Sequence, residues 1–276
     1  MRSKPSSRSA TIVSHLLLLV GAVLMLVPLI WTLSTSLKAP GSEFDIPVRW
    51  IPETWHFENY LEVARRVPLA LWFFNSLVVA LAATVGQMLT GSMAAYAFAR
   101  LRFRGRDTTF LMFLATMMIP PQVTIIPLFI IVRAFGWYDT YPGLIVPGLF
   151  GAFSVFIMRQ FFLTIPGELE DAARIDGANH WQIYWRVMLP LSGPALATLG
   201  TFTFMSFWNS FLYPLVITRT QEMRTLPVGL SVFRDTFTTE WTLVTAGLVM
   251  SLIPVVIAFL LGQRYFVRGI TMTGIK

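Results

Sequence analysis

Chemistry needs side chains of the right type at the right spacing, and this sequence offers few. Its 3 histidines, His15, His56 and His180, stand far apart, in no spacing that would hold a metal. Cysteine is absent, so disulfides and thiolate ligands are out of reach. No nucleophile stands beside a base, and no G-x-x-x-x-G-K-[ST] loop is present to cradle a nucleotide phosphate. One stretch does concentrate charge in a regular pattern: Thr164 to Leu191, TIPGELEDAARIDGANHWQIYWRVMLPL. Glu168, Glu170 and Asp171 place negative charge at the positive end of a helix dipole. Leu169, Ala172 and Ala173 make a narrow stripe of small apolar residues, with Arg174 beside it. The chemistry open to such a segment is recognition, a helix laid into a groove on a soluble partner. The plainer reading is a polar loop resting on a bilayer surface.

The local pattern predicts how that segment is built. Pro166 suits the first turn of a helix, where its missing N–H is not needed. Asp176-Gly177 reads as the stop, with Gly177 left-handed. Asn179 can cap a second helix, Gln182 reaching back to complete a capping box. Trp181, Tyr184, Trp185 and Met188 recur at helical spacing and predict an aromatic face that anchors the second helix to the rest of the chain. Pro190 closes the segment.

The segment lies in a chain of 276 residues that is 55% hydrophobic and only 13% charged, where soluble proteins carry about 25%. A bilayer core of about 30 Å needs around 20 apolar helical residues. Six stretches meet this: Ile12 to Leu37, Leu69 to Ala99, Thr108 to Val132, Tyr141 to Met158, Ser192 to Thr218 and Trp241 to Gly262. The first is too long for the apolar core of a signal peptide and reads as a retained span. Pro120-Pro121 is expected to kink or break the third. The expected fold is all-α and integral to the membrane, with six transmembrane helices in one domain. Its parts are a disordered tail (1–11), a first span (12–37), an extracytoplasmic segment (38–68), a core (69–266) that contains the 164–191 loop, and a tail (267–276). A short helix is expected near Phe57–Ala64.

The net charge of +7 points to orientation, not to nucleic acid. The two tails, the LRFRGRD loop and the Thr164–Leu191 side hold 13 of the Lys and Arg residues, against 8 opposite. By the positive-inside rule both termini and the Thr164–Leu191 element are cytoplasmic. The interiors of the second to sixth spans carry no Asp, Glu, Lys, Arg or His, which argues against an ion-coupled transporter. Uncharged polar residues do occur there: Asn75, Ser76, Gln87, Ser92, Gln122, Asn209 and Ser210. They read as interhelical hydrogen bonds, with Gly86, Gly91 and Ser92 allowing close packing, or as lining of a polar passage. Asn209, Trp208 and Gln87 are the candidates for that lining.

Thr164–Leu191 resembles the cytoplasmic EAA loop of permease subunits of binding-protein-dependent ABC importers. The match rests on Asp171-Ala172-Ala173, Gly177 and Val187-Met188-Leu189-Pro190. Asp171 stands where that family usually has Glu, which keeps the charge and shortens its reach. The resemblance extends to MIPPQVTIIPLF, FWNSFLYPLVI and the ending QRYFVRGITMTGIK, with Arg268-Gly269 and Lys276. These are similar to the second permease of maltose-type carbohydrate uptake systems. The resemblance implies a multi-pass subunit of a bacterial or archaeal plasma (inner) membrane that forms half of a path for a sugar or sugar-like solute. It implies as partners a second permease in a heterodimer, two ATP-binding subunits and an extracytoplasmic solute-binding protein. This chain would then be no enzyme and hold no cofactor, with ATP and Mg bound by the partner ATPase. Glu168, Glu170, Asp171, Ala172, Ala173, Arg174, Asp176 and Gly177 would couple to that ATPase. The alternatives are an ion-coupled secondary transporter subunit and a non-enzymatic membrane scaffold.

Overall fold

The computed structural model describes residues 8–234 and 239–272, with side chains from 12–234 and 239–263. The basic tail residues Arg2 and Lys4, and Lys276 at the other end, lie outside the described residues; the side chain of Arg268 lies outside the described side chains. The described residues are largely helical and form no β-strands beyond one isolated bridge, Arg234 with Thr239. The chain divides into two compact units, Met1–Val67 with Leu230–Leu252 and Pro68–Gly229 with Ile253–Lys276.

In the first unit, α1 (Arg8–Ser36) has an apolar stretch none of whose residues is buried within the chain. Such a helix belongs in lipid or against another helix. Its last carbonyls have no helical partner. Asn59 supplies one, its amide donating to the carbonyls of Ser36 (3.0 Å) and Lys38 (2.9 Å). Asn59 sits on α2 (Glu58–Arg66), which fulfils the expected short helix. Trp50 packs edge-on against Trp31 at 5.3 Å, and the Lys38 ammonium lies 4.2 Å over the Trp31 ring.

The second unit is built on α3 (Leu69–Arg100), 32 residues and so about 48 Å long. There follow α4 (Arg106–Ala115), α5 (Pro121–Ala134), α6 (Tyr141–Ile145), α7 (Ala152–Thr164), α8 (Glu168–Ile175), α9 (His180–Ile183), α10 (Leu189–Leu191), α11 (Gly193–Trp208), α12 (Leu212–Ile217) and α13 (Leu226–Leu230), and the described residues end with α14 (Trp241–Met272), which belongs to this unit from Ile253 onward. The helices packed most extensively on α3 are α7 and α11. Gly91 permits the first contact: a Cβ there would lie 2.6 Å from the Ser154 hydroxyl oxygen.

The second and sixth expected spans correspond to single long helices, and the others between them are broken. The third is two helices set at 100°. Pro121 opens α5 with its missing N–H, and Pro120 before it is held extended. The fourth bends by 41° between Gly148 and Ala152 and continues past Met158 to Thr164. The expected fifth span, Ser192 to Thr218, stops at Trp208 and resumes at Leu212. Its 16-residue α11 is about 24 Å long, short of the bilayer core. Apolar composition hides such a break because Asn209 and Ser210 barely lower it. Three helices are long and apolar enough to cross a membrane alone, and up to six crossings exist if each bent pair is one, the third such pair being His180–Leu191 with Gly193–Trp208 at 77°.

Asp139 fastens two of these pieces. It takes φ 58°, a left-handed conformation tolerated by Asp. Its carboxylate accepts from the N–H of Arg219 (2.8 Å), the N–H of Thr220 (3.2 Å) and the Thr220 hydroxyl (2.8 Å). Partial burial works to raise its pKa, but the hydrogen bonds from Arg219 and Thr220 and the Arg219 charge outweigh it, and the pKa lies below the usual carboxylate range. A depressed native pKa stabilises the fold above the unfolded value, about 4, and that stability is lost as pH falls through the lower native value. Asp139→Asn is expected to be less stable than the wild type at pH 7, by on the order of 1 kcal/mol. Thermal melting in detergent should show the gap unchanged down to about pH 5 and closing below about pH 4.

Candidate functional site

The α8–α9 element is assembled from local rules. Ile165 is extended, as a residue before proline prefers, and this ends α7. Pro166 lies just outside α8, not within its first turn. The carbonyl that opens the helix belongs to Gly167 and accepts from Glu170 (2.9 Å) and Asp171 (3.0 Å). At the far end Gly177 takes φ +82°. Its N–H reaches the Arg174 carbonyl at 3.0 Å, and the Ala178 N–H reaches Ala173 at 2.9 Å. This pair of bonds is a Schellman motif. Asn179 and Gln182 form the expected capping box, each bond 2.9 Å.

The second helix departs from expectation. From Tyr184 to Met188 it widens into a π turn. In a regular α-helix the Pro190 ring would clash with the carbonyl four residues back, that of Arg186, and a widened turn relieves this. The aromatic face divides. Tyr184 and Met188 are buried, while Trp181 and Trp185 point outward. Anchoring falls to Tyr184, whose hydroxyl meets Ser92 at 2.7 Å and whose ring packs on Tyr96 at 5.6 Å.

The coupling candidates also divide. Glu168, Asp171, Ala172, Arg174, Asp176 and Gly177 are exposed, and Ala173 is half-buried against the core. Glu170 is turned inward and buried, with Arg100 Nε 2.9 Å from its Oε1 and Arg174 Nη2 3.3 Å from its Oε2. Arg174 also meets Asp171 at 3.1 Å. Beside α8 lies a cavity of about 880 Å³, lined by charges of both signs that include Arg100, Arg102, Arg106, Glu170, Asp171 and Arg174. The outer ridge of α8 is apolar: Leu169 is exposed, and Ile175 is 87% exposed.

Of the three lining candidates, Gln87 lies apart from Trp208 and Asn209. Gln87 donates to the Gly148 carbonyl at 2.8 Å, at the break before α7. Trp208 is buried, stacked on Phe204 and edge-on to Phe73 at 5.2 Å. Phe73 lies about 21 Å before Gln87 along α3. Asn209 is exposed at the end of α11. A different set converges where the helices break: Gln122, Thr124, Pro147, Phe207, Ser210 and Phe211 line a cavity of about 530 Å³. The pairing of Pro120-Pro121 with Gln122 and of Asn209 with Ser210 was the signal for it, since each couples a helix break to a polar side chain.

A family model described as "binding-protein-dependent transport system inner membrane component" matches residues 87–272. The chain belongs to this family. Among relatives of this inner membrane component is an arabinooligosaccharides transport system permease protein, AraQ, of Bacillus subtilis. It is 35% identical over 280 residues, covering 100% of this chain and 99% of the relative. An sn-glycerol-3-phosphate transport system permease protein, UgpE, of Yersinia enterocolitica is 35% identical over 95% of this chain and 96% of its own. A solved bacterial ABC transporter involved in the import of the acidic polysaccharide alginate contains a chain 30% identical to this one. It covers 96% of this chain and 100% of its own, at a TM-score of 0.81. The relatives are named as transport permeases, not as enzymes.

Nothing lies within 4 Å of a Cβ built on Gly177, so a substitution there meets a backbone cost and no steric one. Gly177→Val and Gly177→Ala are expected to destabilise the turn by about 1–2 kcal/mol, and Gly177→Asn by less. Thermal melting in detergent should rank them Gly, Asn, Ala, Val; equal losses for Asn and Val would contradict a backbone origin.

Proposed function

We propose that this inner membrane component is one permease of an ATP-driven importer, forming half of a path for a sugar or sugar-like solute. The chain crosses the membrane six times, with both termini and the 164–191 loop in the cytoplasm. A second permease completes the path, two ATP-binding subunits bind ATP and Mg, and an extracytoplasmic binding protein delivers solute. The observation that carries this reading is the ridge of Leu169, Ala172 and Ile175, framed by Glu168, Asp171 and Asp176, which nothing among the described residues covers. An apolar helix ridge with a charged rim suits a groove on a soluble partner. Glu168, Asp171, Ala172, Arg174 and Asp176 form the contact, Ala173 backs it and Gly177 sets its turn. Glu170 is left out of the contact because it is buried within the chain.

The solute class is supported by the relatives' names and by the cavity at the helix breaks. Its uncharged Gln122, Thr124 and Ser210 beside Phe207 and Phe211 suit hydroxyl groups and sugar faces. The ion-coupled alternative is disfavoured by span interiors that carry no ionisable residue in the second to sixth stretches.

Ile175→Arg is expected to insert into the membrane normally and to lower co-purification of the ATP-binding subunit about ten-fold, with loss of uptake. Retention of that subunit by Ile175→Arg would remove the docking surface. Accumulation of solute in vesicles by this chain with no nucleotide-hydrolysing companion would remove the whole reading.

A further inference from the structure

The outer ridge of α8 explains how a partner is met, but not how movement of α8 reaches the membrane helices. On the reading that α8 docks to a nucleotide-driven partner, we propose that Arg100 is a positioning residue that carries displacement of α8 into α3 and α7. Arg100 is the last residue of α3. Its Nη2 donates to the carbonyls of both Phe162 and Ile165, at and just beyond the end of α7, the Phe162 carbonyl also accepting from the Ile165 N–H at 3.2 Å. Its Nε lies 2.9 Å from Glu170 Oε1 on α8, with the two side chains 14% and 4% exposed. One guanidinium thus joins three elements.

The link to α8 is singular. Among the described residues, Arg100–Glu170 is the only ion pair or hydrogen bond between α8 and either α3 or α7. By contrast, α3 and α7 are tied a second time, by Arg159 Nε donating to the Phe98 carbonyl at 3.3 Å. The apolar hold on α8 is thin: Leu169, Ala172 and Ile175 face outward, leaving Ala173 against the core. The Arg100–Glu170 contact is close, yet neither Arg100 Nε nor Glu170 Oε1 has an aligned hydrogen bond there. A charged contact without bond alignment tolerates rotation that a bidentate fork resists. Charge keeps the ends together while α8 tilts, and the carbonyl bonds pass the tilt to α7.

The test uses the whole transporter, assembled with its ATP-binding subunits and binding protein in proteoliposomes, with transport and ATP hydrolysis measured in the same vesicles. Glu170→Gln and Arg100→Lys are expected to assemble and to transport about ten-fold less solute per ATP hydrolysed. The exchange of Arg100→Glu with Glu170→Arg is expected to remain uncoupled, because an arginine rooted on α8 does not join the end of α3 to the α7 carbonyls. A wild-type ratio in assembled Glu170→Gln, or coupling regained in the exchange, overturns the proposal. Loss of the ATP-binding subunit from Glu170→Gln also overturns it, since that would place Glu170 in the docking contact. Should Arg100→Lys not accumulate, Glu170→Gln carries the test, because it leaves the carbonyl bonds in place. Failure of the docking reading is distinguishable: it appears as an ATP-binding subunit still bound to Ile175→Arg.

Discussion

In a hydrocarbon environment a backbone N–H or C=O with no partner costs several kcal/mol, so every helix end and every break at membrane depth needs a side chain to satisfy it. This constraint accounts for most of the conspicuous polar residues. Gln87 and Thr90 reach the carbonyls of Gly148 and Leu149 at the break before α7. Asn75 donates to the carbonyls of Glu222 and Arg224 and accepts from the Tyr141 hydroxyl. Tyr213 donates to Gly143. At the helix ends, Asn59 serves the end of α1 and Arg100 the end of α7. Polar side chains that look like a passage in the sequence are in large part backbone partners in the fold.

That allocation shapes the division of labour within the second unit. Gln87 is engaged with a carbonyl and Trp208 with aromatic packing. The polar side chains that line the cavity at the breaks are Gln122, Thr124 and Ser210, of which Thr124 donates to the Pro121 carbonyl at 2.9 Å. The 164–191 element follows the opposite logic. Its backbone is satisfied by its own caps, the Schellman bonds at Gly177 and the box at Asn179 and Gln182. Local satisfaction leaves its outer side chains unengaged and its shape set before any partner arrives, which lowers the ordering cost of binding.

Much of this was legible in the chain because the signals are local. A capping box spans four residues, a left-handed glycine announces itself as Asp-Gly, and an uninterrupted apolar run such as Leu69 to Ala99 is a helix whatever surrounds it. The misreadings share a cause as well. The break after Trp208 and the π turn at Tyr184 change direction without changing hydropathy, whereas the 100° bend at Pro120-Pro121 was announced by its prolines. Mean hydropathy reports what a segment dissolves in, and says nothing of where it points. Trp181 with Trp185 and Tyr184 with Met188 are neighbouring i, i+4 rows, and only packing decided which of the two is buried.

The sequence by itself determined the solvent and the vocabulary: lipid, because charge is too scarce for water, and caps and stops, because those depend on neighbours a few residues apart. It also carried the family, through the order of motifs from Asp171-Ala172-Ala173 to the C-terminal tail. Only the tertiary structure decided the fate of individual polar side chains. Glu170 and Asp171 are adjacent acids on one short helix, yet one is buried against Arg100, 70 residues earlier in the chain, and the other faces outward. No local rule separates them, because burial and pairing depend on which distant elements the packing brings to each face of the helix.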